Sequence, residues 1–208
     1  NKVYHPVYFL FEPEPYYIDK IADYIEEHVL DEAGKEFNQT VLYGRDVDLP
    51  TVIGTAKRFP MMSNYQVVIV REAQDMRDLS RKKSEDEDDD DDGSSRGKDE
   101  SSDPFVKYLE KPLASTVLVF CYKYKALDKR TKLGKLMEKN SVFFESKAIY
   151  DDKLPGWAES YSKSQGRSIT ADAARLIADF IGNDLSRIAN EIDKLIINLP
   201  DGSEVNAS

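Results

Sequence analysis

A chain of 208 residues that is 40% hydrophobic and 11% aromatic can bury one large core or two small ones. Its net charge of −10 argues against strong nucleic-acid binding by bulk charge, and no apolar run approaches the roughly 18 residues that a membrane helix needs. A single cysteine, Cys121, excludes an internal disulfide and fits a reducing, cytoplasmic compartment. It lies in an apolar run and reads as a buried, inert thiol. There is no signal-peptide pattern, and a start at Asn1 without methionine reads as a fragment.

Residues 3–11 are apolar and aromatic, are bounded by Pro13 and Pro15, and predict a buried strand. Tyr17, Ile18, Ile21, Ala22, Ile25 and Val29 then recur at helical spacing, with Gly34 as the expected close of that helix. Residues 37–43 predict a second strand. Asp48 caps a helix that takes Pro50 into its first turn and runs to about Arg58, where Pro60 ends it. Residues 65–70 predict a third strand.

Residues 81–103 interrupt this pattern with 11 acids and 5 bases, eight of the acids consecutive at 85–92. Self-repulsion without apolar anchors predicts a disordered, solvated insertion. Beyond it come a helix at 104–111, a strand at 115–122, a helix at 128–138 and a strand at 141–145. Continuous apolar strands separated by helices indicate a parallel sheet covered on both faces, an α/β domain over residues 1–149.

From Lys153 onward the periodicity is helical only. One helix passes through Trp157 and Tyr161 and ends near Gly166. A second is capped by Thr170, carries Ala173, Leu176, Ile177, Phe180 and Ile181 on one face, and ends at Gly182. A third starts at Asp184 with Leu185, Ile188, Ala189, Ile192, Leu195 and Ile196 in one stripe. Together they predict a small helical domain over residues 150–208.

An α/β domain followed by a small helical one is the layout of the AAA+ ATPases, whose phosphate loop requires Gly-x-x-x-x-Gly-Lys-Ser/Thr after the first strand. The corresponding turn here, Phe11-Glu12-Pro13-Glu14-Pro15, has no glycine and no lysine. Its carboxylates repel phosphate, and its prolines remove amide donors. Gly134-Lys135 is followed by Leu136 inside an apolar helix and is no substitute. The third strand leads into Arg71-Glu72, where a magnesium-binding Asp would stand. His5 and His28 lack a metal-ligand pattern, and no Ser or Cys sits in a nucleophile elbow. The sequence therefore predicts no catalytic residue, no metal and no cofactor. A degenerate P-loop ATPase and an inactive Rossmann-like regulatory module are the alternatives.

Several stretches, taken in order, resemble the delta subunit of the bacterial DNA polymerase III clamp loader. They are Phe9-Leu10-Phe11 with Glu14-Pro15-Tyr16-Tyr17-Ile18; residues 47–74; residues 116–122; residues 127–135; and residues 182–195 from Gly182-Asn183-Asp184-Leu185 onward. The family usually has glycine where Glu12 stands. The resemblance implies an AAA+-like domain with the nucleotide site lost, a helical lid and a C-terminal collar, the last expected to be absent from this chain. It also implies a subunit that binds and opens the sliding clamp (the beta subunit) during DNA replication without hydrolysing ATP itself. Other loader subunits would join through the collar, with primed DNA held within the assembly and no membrane involved.

The family's clamp-binding element lies between the second helix and the third strand, which here is Phe59, Pro60, Met61 and Met62. Pro60 stops the helix, and Ser63-Asn64 form a turn before the strand, so Met61 and Met62, flanked by Phe59 and Pro60, either stand at a surface turn or fold inward as core; the resemblance favours the surface. The basic residues Lys129, Arg130, Lys132 and Lys135 read as one helix face toward DNA phosphates, or as a solvated face.

Overall fold

The computed structural model describes residues 3–80, 103–125, 127, 129–200 and 203–207. The predicted acidic insertion, apart from Asp103, lies outside the described residues. The chain divides into two units, Asn1–Lys147 and Ala148–Ser208.

In the first unit, the apolar runs become the strands β1 (Val7–Glu12), β2 (Gln39–Tyr43), β3 (Gln66–Arg71), β4 (Thr116–Lys123) and β5 (Val142–Glu145). All pairings are parallel, in the order β2-β3-β4-β1-β5. β1 thus lies between β4 and β5, with Leu10 opposite both Cys121 and Phe144. Parallel neighbours require crossovers, supplied by α1 (Pro15–His28), α2 (Glu32–Asn38), α3 (Leu49–Ala56), α4 (Arg77–Ser80), α5 (Pro104–Glu110) and α6 (Lys132–Asn140).

Alternation along the strands divides the core between the two faces of the sheet. Phe9, Phe11, Val68, Val70, Leu118 and Phe120 pack with Val52, Ile53 and Ala56 of α3, Leu109 of α5 and Met137 of α6. Leu10, Val67, Ile69, Val117, Val119 and Cys121 pack with Ile18, Ala22 and Ile25 of α1. Burial of each such large side chain stabilises the fold by roughly 1.5–3 kcal/mol, which is why both faces must be covered. Burial also pushes the Cys121 thiol up to about 12.

Three local readings are corrected. Gly34 does not close α1, which is capped at Val29. Instead Asp31 caps a separate helix, α2, by accepting a hydrogen bond from the Gly34 N–H at 2.7 Å. Phe37 is therefore helical, and β2 begins only at Gln39. Likewise Thr131 accepts from the Gly134 N–H and starts α6 at Lys132, so the preceding residues do not belong to that helix.

The second unit holds α7 (Leu154–Ser164), α8 (Ala171–Ile181) and α9 (Leu185–Asn198). Its buried residues include Leu154, Ala158, Ala174, Ala178, Leu185, Ile188 and Ile192. Trp157 stacks on Tyr161, and the Tyr161 hydroxyl donates to the Asp193 carboxylate at 2.9 Å. Gly182 stops α8 with φ 77, a conformation that costs a side-chain-bearing residue. A single parallel bridge between Ile169 and Val205 adds extended pairing that the helical periodicity does not reveal.

Candidate functional site

Since β3 begins at Gln66, the segment joining α3 to β3 lies at the amino edge of the parallel sheet. Three large apolar side chains stand out there: Phe59 is 76% exposed, Met61 62% and Met62 106%. Among the described residues, neither methionine belongs to the core clusters on the two faces of the sheet, and Phe59 is exposed with them rather than packed beneath. Met62 has φ 54, a left-handed backbone that a side-chain-bearing residue seldom adopts. An apolar surface of this kind marks a contact site more often than a packing accident.

The loop is fastened on both sides by buried amides. On its far side, Asn38 accepts a hydrogen bond from the Met61 N–H at 2.6 Å and donates to the Met61 carbonyl at 2.9 Å. The same Asn38 amide donates to the Gly34 carbonyl at 3.0 Å. Two carbonyls require its NH₂ group and one N–H requires its oxygen, so the network defines the amide's orientation. On the near side, the Gln66 amide donates to the carbonyls of Ala56, at 3.0 Å, and Arg58. The Thr116 hydroxyl also donates to the Ala56 carbonyl, at 2.8 Å. These bonds satisfy carbonyls that the end of α3 leaves without helical partners. Neither Asn38 nor Gln66 is signalled in the sequence: Asn38 acts across 23 positions, and Gln66 acts from inside an apolar strand that reads as core.

The opposite edge, where parallel α/β sheets carry ligands, is filled by the chain's own charges. At the first turn the Glu14 carboxylate accepts from the Tyr16 N–H at 2.9 Å, so the amide end of α1 is capped from within. Glu12 has φ 101, the left-handed region in which glycine is at ease. Arg71 donates to Asp23 and Glu26, both at 2.7 Å, and to Asp19 at 3.4 Å. Burial alone would lower the Arg71 guanidinium, but its bonds to Asp23 and Glu26 hold it above its ordinary value. Lys123, at the end of β4, pairs with Asp19 as well. Among the described residues, no group of three His, Cys, Asp or Glu is arranged to hold a metal ion.

The four basic residues do not share one helix. Lys129 and Arg130 precede α6, and Lys129 pairs with Glu145 at 2.6 Å with its ammonium 5.5 Å from the Phe11 ring centroid. The hydrogen bond from Lys129 holds Glu145 below the usual carboxylate range, and that to Glu145 raises Lys129. Lys132 and Lys135 lie on α6, with Lys135 exposed.

The geometry defines a doubly wound α/β domain with ion pairs at the carboxyl ends of β3 and β4 and an exposed apolar loop at the opposite edge. Residues 8–147 match the family model described as DNA polymerase III, delta subunit. The chain belongs to that family, the clamp-loader delta subunits. It is 27% identical over 201 residues to DNA polymerase III subunit delta of Bacillus subtilis (strain 168), an alignment covering 97% of this chain and 54% of that protein. The solved Bacillus subtilis DNA clamp loader delta protein (YqeN) superposes with a TM-score of 0.71 and 26% identity, over 97% of this chain and 56% of that one. The chain thus spans about half the length of these relatives. None of the described helices is long and apolar enough to cross a membrane.

Proposed function

We propose that this chain is the clamp-engaging part of a cytoplasmic clamp-loader delta subunit. It binds the sliding clamp through Phe59, Pro60, Met61 and Met62 and favours the clamp's open form during DNA replication. Opening the ring requires no bond chemistry in this subunit. A protein that binds the open interface more tightly than the closed one shifts the equilibrium by its differential affinity. ATP hydrolysis then belongs to other loader subunits, with which the whole delta protein assembles around primed DNA. The filling of the strand ends by Glu14, Arg71 and Lys123 supports this division of labour.

The observation that carries the reading is the display of Phe59, Met61 and Met62 on a loop whose backbone is fastened by Asn38 and Gln66. Methionine adapts to irregular pockets, and a preordered loop loses little entropy on docking. Anchors of this size contribute about 2 kcal/mol each, so Met61→Ala with Met62→Ala is expected to weaken clamp binding roughly a thousandfold. Calorimetric titration of the cognate clamp tests this. Unchanged affinity in a folded double variant overturns the proposal.

A further inference from the structure

Beside the loop lies a shallow cleft of about 300 Å³ lined by Lys57, Lys107, Lys111, Tyr108, Pro112 and Leu113. Lys57 caps α3 two residues before Phe59, and Lys107 and Lys111 come from α5 and its cap. The packing of α5 against α3, with Leu109 in the same core cluster as Val52 and Ala56, brings them together. All three lysines are exposed, and none is ion-paired within the described structure. Arg58, also exposed, adds a fourth positive charge at the loop's base.

Like charges gathered on one cleft, unpaired among the described residues, repel one another and are stabilised by an incoming anionic surface. Their cognate is a protein rather than a polyanion. The cleft is lined also by Tyr108, Pro112 and Leu113, and its Lys57 stands two residues before the exposed Phe59, so charge and apolar surface are neighbours along the chain, as in a protein interface with a hydrophobic centre and a charged rim. A chain of net charge −10 repels a long polyanion, whereas a local acidic patch senses only charges within a Debye length of about 8 Å. We propose that Lys57, Lys107 and Lys111 form the electrostatic rim of the loop's interface and receive an acidic surface of the sliding clamp. This rests on the clamp-binding reading above and goes beyond it by assigning these lysines to the rate of encounter, while the methionines act on the lifetime of the complex.

The test is association and dissociation kinetics of the 208-residue chain with its cognate clamp, for wild type, for K57E/K107E/K111E and for M61A/M62A. Rim charges act on kon and its salt dependence, so the triple variant is expected to associate about tenfold more slowly at about 50 mM salt. That difference should vanish at about 300 mM salt, with koff within about twofold of wild type. The methionine variant is expected to raise koff and leave kon nearly unchanged. Thermal melting of the triple variant should match wild type, since all three side chains are exposed.

Wild-type binding that depends on the methionines but has the same kon and salt slope in the triple variant overturns the rim and leaves the loop reading standing. Loss of short-duplex DNA binding in the triple variant with clamp kon intact also overturns it, by assigning the lysines to nucleic acid. Absence of any clamp binding by wild type overturns both readings together.

Discussion

Replacing Asn38 with alanine cuts the two bonds that hold the far side of the display loop. The Met61 N–H loses its acceptor at 2.6 Å and the Met61 carbonyl its donor at 2.9 Å. Both bonds are part-buried at the surface, so water replaces the lost partners at least in part. The loss is then about 1 kcal/mol per bond, or about 2 kcal/mol of local ordering, a rise of roughly thirtyfold in the open fraction of the loop. Amide hydrogen exchange reads this directly. Met61 should be protected in the wild type and exchange roughly thirtyfold faster in Asn38→Ala, with core amides such as Val119 keeping the protection that global stability sets. Equal Met61 exchange in wild type and Asn38→Ala refutes the reasoning. So does a loss that merely tracks a fall in global stability.

Two further outcomes are expected. Glu12→Gly should stabilise the fold by about 1 kcal/mol in urea denaturation, because glycine relieves the backbone at φ 101 by more than it gains in unfolded-state entropy; a destabilised variant contradicts the assignment of strain to that position. The Cys121 thiol, buried and pushed up to about 12, should ignore a disulfide reagent at pH 8 and react only as the protein unfolds, so rapid labelling under native conditions would refute its burial.

The sheet was legible in the sequence because its strands are short continuous apolar runs between helical periods, which leave a parallel order with two covered faces as the consistent arrangement. The turn itself was legible for a local reason, Pro60 followed by Ser63 and Asn64 before an apolar strand, but whether its methionines face outward was not settled by those residues. Errors arose where one side chain overrides composition. Gly34 resembles a helix stop until Asp31 is seen capping its N–H. Lys129 and Arg130 look continuous with Lys132 until Thr131 is seen opening α6. The supports of the loop were not legible at all: Asn38 reaches Met61 across 23 positions, and Thr116 reaches Ala56 across 60. The glycine expected by resemblance at Glu12 acquires a physical reason only from the left-handed φ found there.

The anchorage of the loop also has a mechanical meaning. Gln66 and Thr116 are the first residues of β3 and β4, neighbouring strands in the interior of the sheet. A tensile load applied at Met61 or Met62 is therefore not absorbed by slack in a tether. It passes through a few hydrogen bonds into two interior strands and is shared along the strand ladder. Movement of the loop away from the sheet edge therefore requires these bonds to break rather than a flexible tether to extend.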